Sequence, residues 1–261
     1  MKRNHLLLAS LACCVGLFEV QSAFPQAKPS EKPAQGATAQ ISFVGCASDG
    51  QAGPLQAPTG QSKLVAIPAE VAQRLAYYKA EYGAGVLAPR GWHCFSTYGS
   101  NGSNLFVTPD PIDPEAPFSD SWKGFSGQAI QISDVVGGTS GRFEVAQIIA
   151  RVFPEYKAFA ENVIAEGIEP ASSFPFGPYP KDKLIYRSKS VVEYETPANT
   201  QGLGTASKLE VNGSAIDGVA VLSGADTDLT LLSARLSEKD QDLIATIVGQ
   251  VEKESADSKA Q

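Results

Sequence analysis

From residue 41 onward, apolar and polar positions alternate in short blocks separated by clusters of Gly, Pro, Asp and Ser. Ile41, Phe43 and Val44 end at Gly45-Cys46 and predict a strand. Residues 47–61 carry Asp49-Gly50, Gly53-Pro54, Pro58 and Gly60 and read as loop. Residues 63–67 predict a second strand. After Pro68, which suits a first helical turn, Val71, Leu75, Tyr78 and Tyr82 recur at helical spacing up to Gly83. A helix is therefore expected there. Residues 86–109, VLAPRGWHCFSTYGSNGSNLFVTP, place an apolar run on each side of a Gly/Ser/Asn turn and predict two strands meeting at 99–103.

Farther along, Pro111, Pro114 and Pro117 make 110–123 a loop. Its acidic residues Asp110, Asp113 and Glu115 lack the alternating oxygens, glycine turn and closing glutamate of a calcium loop. Residues 127–136 predict a strand, and Gly137-Gly138-Thr139-Ser140-Gly141 leads into a helix whose buried face is Phe143, Ala146, Ile149 and Val152. Pro154 interrupts it, and Tyr156, Phe159, Val163 and Ile164 continue to Gly167; one kinked helix and two separate helices both fit. Residues 168–180 are proline-rich loop, 184–195 a strand, and 196–213 irregular. Residues 216–223 and 229–236 flank a turn at 224–227 and predict a hairpin. Ser237, with Asp240 three residues on, marks the start of a last helix that buries Leu243, Ile244, Ile247 and Val251.

Hairpins imply antiparallel pairing, and helices between them must cover a sheet face. The expected fold is α+β: a mainly antiparallel sheet with several helices packed on it, in one globular domain spanning 41–252. A polar tail, 253–261, follows.

The N-terminus follows another logic. Lys2 and Arg3 precede an apolar stretch from Leu6 to Phe18, and Val20-Gln21-Ser22 offers small residues for cleavage. This is the layout of an export signal over 1–22, too short for a spanning helix. Leu11-Ala12-Cys13-Cys14 also permits a lipid anchor at Cys13 or Cys14. Residues 23–40 are rich in Pro, Ala and Gln, cannot bury enough surface to offset the entropy of ordering, and read as a disordered linker.

Composition narrows the partners. Hydrophobic residues are 43% and charged ones 19%, as in globular proteins. The formal charge is -7; removing 1–22 takes away Lys2, Arg3 and Glu19, a net +1, and leaves -8. Without a basic footprint, nucleic acid is not an expected partner. A small molecule or another protein is, and no cofactor motif is present.

Cys46 and Cys94 remain after processing. One pair in an exported chain predicts a disulfide, with free thiols or a metal site completed by His93 as alternatives; the metal site lacks further well-spaced ligands.

Two constellations carry candidate chemistry. Gly138, Thr139, Ser140 and Arg142 form a glycine loop at a helix start, where free N–H groups and a guanidinium suit an anion. The loop lacks the Lys-Ser/Thr of a P-loop. Ser140 also suits a nucleophile with His93 as base and Asp134 as orienter, though the sequence misses the G-x-S-x-G elbow. His93, between Trp92 and Cys94, reads more readily as a packed, hydrogen-bonded residue. Tyr77, Tyr78, Tyr82, Trp92, Tyr98 and Trp122 supply aromatic anchors for binding. The sequence thus favours an exported, non-enzymatic binding or envelope protein, with a secreted serine hydrolase as the alternative.

Overall fold

A computed structural model describes residues 38–258. The calls on 1–22, on the linker up to residue 37 and on a lipid anchor lie outside the described residues.

The chain builds two sheets. The smaller has four strands in the order β3-β1-β4-β5: β1 is Thr38–Gly45, β3 Lys63–Ala66, β4 Leu75–Lys79 and β5 Val86–Pro89. β1 serves two neighbours in turn. Thr38 to Ile41 pair antiparallel with β3, and Ser42 to Gly45 pair parallel with β4. β1 thus includes Thr38 to Gln40, ahead of the expected strand start at Ile41.

The larger sheet has eight strands. In spatial order they are β2 (Ser48–Gly50), β6 (His93–Gly99), β7 (Gly102–Thr108), β8 (Ala129–Val135), β12 (Asp228–Arg235), β11 (Ile216–Ser223), β10 (Val191–Thr196) and β9 (Lys183–Ser188). All neighbours here are antiparallel except β2 and β6. The architecture is α+β as expected, with each sheet mixed by one parallel pair.

Four helices complete it: α1 (Ala69–Arg74), α2 (Arg142–Val152), α3 (Lys157–Ala165) and α4 (Ile244–Ser258). Strand alternation sends side chains of the large sheet to two faces. One face carries Leu105, Val107, Ile130, Ile132, Val219 and Leu232, which pack with the small sheet and with Leu243, Ile247 and Val251. The other carries Val135, Leu229, Leu231, Leu222 and Val192, covered by Val145, Ile149 and Val152 of α2 and Val163 of α3. Pro154 separates those two helices with a short 3₁₀ turn, so two helices exist.

Several elements differ from the sequence reading. The helix expected over 69–82 stops at Arg74, and Leu75–Lys79 is a buried strand. Leu75, Ala76, Tyr77 and Tyr78 are all buried, because β4 is covered on both faces. Helical and strand periodicities become indistinguishable in such a run. Tyr77 and Tyr78 point to opposite sides, donating to Glu254 Oε2 (3.1 Å) and to the Pro89 carbonyl (2.8 Å). Residues 184–195 are two strands, β9 and β10, joined through Lys189. Ser237 makes no side-chain cap, and its hydroxyl donates to Asp240 (3.1 Å). α4 runs on to Ser258, into the expected polar tail, where Glu254 accepts from Tyr77, Lys63 and Gln250.

Cys46 and Cys94 form a disulfide with Cα atoms 5.4 Å apart, tying the end of β1 to β6. It joins the two sheets and agrees with the pairing expected from sequence. Such a bond points to an oxidising compartment. Among the described residues, no helix is long and apolar enough to cross a membrane.

Candidate functional site

The large sheet has a cavity at one end. Its walls come from segments far apart in sequence: Gln51 and Ala52 after β2, Tyr82 and Gly83 between β4 and β5, the β6–β7 turn, the end of β8, and the β11–β12 hairpin. The cavity has a volume of about 810 Å³, within the roughly 300–1,000 Å³ of small-molecule sites.

Register sets its floor. Tyr98 pairs with Ser103, Ser103 with Asp134, and Asp134 with Thr230, so these four side chains form a row on one face. Asp134 is the only ionisable residue in β8, whose other side chains are buried. Its Oδ1 accepts from the Thr230 hydroxyl (2.6 Å), and its Oδ2 accepts the Ala84 N–H. That second bond draws the β4–β5 loop of the small sheet onto the large one.

Two glycines make this approach possible. Gly83 has φ of +78°, and a Cβ there would lie 2.1 Å from Ser103 Oγ and 3.0 Å from Asp134 Oδ2. Gly102 has φ of +137°, and its Cβ would fall 1.9 Å from the Asp134 carbonyl oxygen. Both positions exclude side chains on two counts. Beneath the loop, burial and the charge of Glu254 push the Tyr77 phenol above its ordinary pKa, so it remains a donor to that carboxylate.

Tyr82 and Tyr98 form the aromatic wall. Their ring centroids are 5.0 Å apart at an interplanar angle of 44°. The Tyr98 hydroxyl donates to the Gly53 carbonyl (2.6 Å), which fixes that ring, while Tyr82 is 53% exposed. The other aromatics flagged in the sequence serve packing. Tyr77 and Tyr78 lie in the core, Trp92 packs against it, and Trp122 meets Phe106 and Phe125 edge-on at 5.8 and 5.3 Å.

The proposed catalytic residues do not converge. Asp134 faces the small sheet, whereas His93 pairs with Thr108 on the opposite face and is exposed. Val107 pairs with Ile130, which places His93 level with Ala129. Asp134 is five residues farther along, about 17 Å at a strand's rise. Ser140 lies beyond that same far end, exposed in the turn before α2. A strand passes its side chains to alternate faces, so no rotamer change unites the three.

At the anion-binding candidate, the protein's own carboxylates hold Arg142 and the adjoining Gly137. Gly137 N–H donates to Asp228 Oδ1 (2.8 Å), and Asp226 borders Gly138. Arg142 holds Glu166 through Nε (2.9 and 3.0 Å) and Nη2 (2.6 Å), and its Nη1 donates to the Thr139 carbonyl (2.9 Å). That pairing holds the Glu166 carboxyl below the usual carboxylate range. The helix cap is Gly141; Thr139 supplies the local hydroxyl bonds, accepting from Gly141 N–H (3.2 Å). Gly138, Thr139, Ser140 and Arg142 thus form a closed turn.

Among the described residues, no three His, Cys, Asp or Glu side chains are grouped to hold a metal ion. The sequence reading missed Ser103, Asp228 and Thr230 as site residues. A lone aspartate in an apolar strand and the Asn101-Gly102 turn were the only local signals. No protein-family model, curated protein or solved structure matches the chain.

Proposed function

We propose that this is an exported, non-enzymatic binding protein whose ligand seats in the cavity at the end of the large sheet. The observation that carries the reading is the cavity itself: about 810 Å³, a tyrosine pair on one wall, and a floor of Ser103, Asp134 and Thr230 pinned by register. Apolar walls with a few fixed polar groups describe a small-molecule site. The distance between Ser140 and His93 argues for binding over the hydrolase, since a nucleophile needs its base within hydrogen-bond reach. Export is read from the signal-like residues 1–22 together with the Cys46–Cys94 disulfide.

The test is a fragment screen on ¹⁵N-labelled mature protein. Hits should move the amides of Gly83, Gly99, Gly102 and Val136, and Tyr82→Ala should weaken them. Hits that cluster elsewhere, or stoichiometric labelling of Ser140 by a fluorophosphonate probe that His93→Ala abolishes, would overturn the proposal.

A further inference from the structure

We infer that the cavity takes an organic cation; this rests on the binding reading above and concerns its ligand chemistry. The charges decide it. Asp134 and Asp228 line the cavity, and no Lys, Arg or His does among the described residues. Both carboxylates are held by neutral donors: Asp134 by the Thr230 hydroxyl and the Ala84 N–H, Asp228 by the Gly137 N–H. Hydrogen bonds of this kind orient a carboxylate and leave its charge in place.

The neighbouring cations do not cancel this charge. Lys79, whose ammonium donates to the Gly83 carbonyl, keeps one positive charge beside the cavity. Arg142, beyond the 137–141 turn, is paired with Glu166. Two lining carboxylates against one neighbouring ammonium leave the local field negative, and a cationic ligand completes it.

The aromatic wall agrees. The face of a tyrosine ring is electron-rich and attracts ammonium groups within about 6 Å. Tyr82 and Tyr98, tilted at 44°, form two sides of a corner rather than a flat stacking platform. Two rings and two carboxylates lining one cavity suit a compact alkylammonium. A free amine, a quaternary amine and the lysine side chain of a peptide share that chemistry.

The experiment titrates ¹⁵N-labelled mature protein with choline, spermidine and Nα-acetyl-lysine methylamide as the three cation sources. The controls are 3,3-dimethylbutan-1-ol (the uncharged isostere of choline), citrate and maltose. At least one cation should move the Gly83, Gly99 and Gly102 amides, and the cation that binds best identifies the source. Tyr82→Ala should weaken it about three- to thirty-fold. Asp228→Asn, which keeps an oxygen for Gly137 N–H, should weaken it at least three-fold. If 3,3-dimethylbutan-1-ol matches choline as the best binder, or if only citrate or maltose binds, the cation inference falls while the cavity reading stands. If no probe of any charge moves those amides and the fragment screen is also silent there, both fall.

Discussion

The buried guanidinium of Arg235 offers a demanding test of how the base of the large sheet is held. Arg235 is 2% exposed, and among the described residues no carboxylate pairs with it in an ion pair. It donates instead to three backbone carbonyls: Phe125 (3.1 Å), Gly127 (3.2 Å) and Glu210. Burial lowers its pKa, yet a guanidinium keeps its proton near neutral pH. The side chain thus joins two loop segments to the end of β12. Those segments also bond each other, Phe125 N–H to the Lys208 carbonyl (2.7 Å) and Glu210 N–H to the Phe125 carbonyl (3.0 Å).

Arg235→Met keeps much of the buried length and removes every donor. The Phe125 carbonyl retains the Glu210 N–H, so two carbonyls, those of Gly127 and Glu210, lose their Arg235 donor. Gly127 is exposed, so water can take up its carbonyl, while the half-buried Glu210 carbonyl left short costs about 1–3 kcal/mol. Relief from burying the charge offsets part of that, and the expected net loss is about 2 kcal/mol. Arg235→Lys keeps a charge without the fork geometry and should lose roughly half as much. Urea unfolding followed by tryptophan fluorescence gives the free energies. Hydrogen exchange should accelerate at the Phe125 and Glu210 amides. A loss below about 1 kcal/mol for Arg235→Met, or equal losses for Met and Lys, would refute the argument that the Gly127 and Glu210 carbonyls depend on this donor.

Glu252 on α4 faces Glu193 of β10. Burial first, then a shared proton with Glu193 and its like charge, push the Glu252 carboxyl up to about 7, against the pull of Arg187. Because the fold holds this proton more tightly than the unfolded chain does, the contribution is complete below about pH 4.5 and lost as pH rises through about 7. The residue is only half-buried, so the loss is about 1–2 kcal/mol once discounted for screening. Glu252→Gln should flatten the fall in Tm across that window, and an unchanged slope would contradict the pairing with Glu193. For the disulfide, unreduced native protein should weigh less than the reduced chain by its two thiol hydrogens. Cys94→Ala should cost on the order of 2–5 kcal/mol; alkylation of both thiols without reductant would remove the bond. His93→Ala and Ser140→Ala should each change stability by less than about 0.5 kcal/mol, since both side chains are exposed. A larger loss on thermal unfolding would show a contact at either position that their exposure does not suggest.

The sequence was most informative where a single element buries one face. The hairpins at 93–108 and 216–235 and the helices on either side of Pro154 emerge from local pattern because one side of each meets solvent or a loop. It misled where both faces are covered. Leu75 to Tyr78 satisfy helical spacing only because every position there is apolar, and parallel pairing with β1, set by residues 42–45, decides the matter. The turn between β9 and β10 was missed for another reason: Ser188-Lys189-Ser190 contains no Gly, Pro, Asn or Asp. At the turn before α2, the glycines correctly indicated a tight connection, but the groups that fill it lie far along the chain. Asp228 is 91 residues from Gly137, and Glu166 is 24 from Arg142.

The cavity was illegible for the same reason, and its construction follows from how the two sheets meet. Local periodicity reports which side of an element is buried; it carries no information about which strand ends gather at one edge. Here the ends of β6, β8 and β11 and the starts of β7 and β12 gather because consecutive antiparallel pairs return the chain to the same edge. Two of the links between the sheets matter most here. The Cys46–Cys94 bond ties β1 to β6, and Asp134 takes the Ala84 N–H of the β4–β5 loop. Only the second fastening borders the cavity, and it uses a charged group where a serine or threonine would supply an acceptor for one N–H. A carboxylate accepts from Thr230 and Ala84 at once and still presents negative charge to the space beside Tyr82 and Tyr98. The residue that closes the sheet junction is therefore also one of the two carboxylates, with Asp228, that give the cavity its charge.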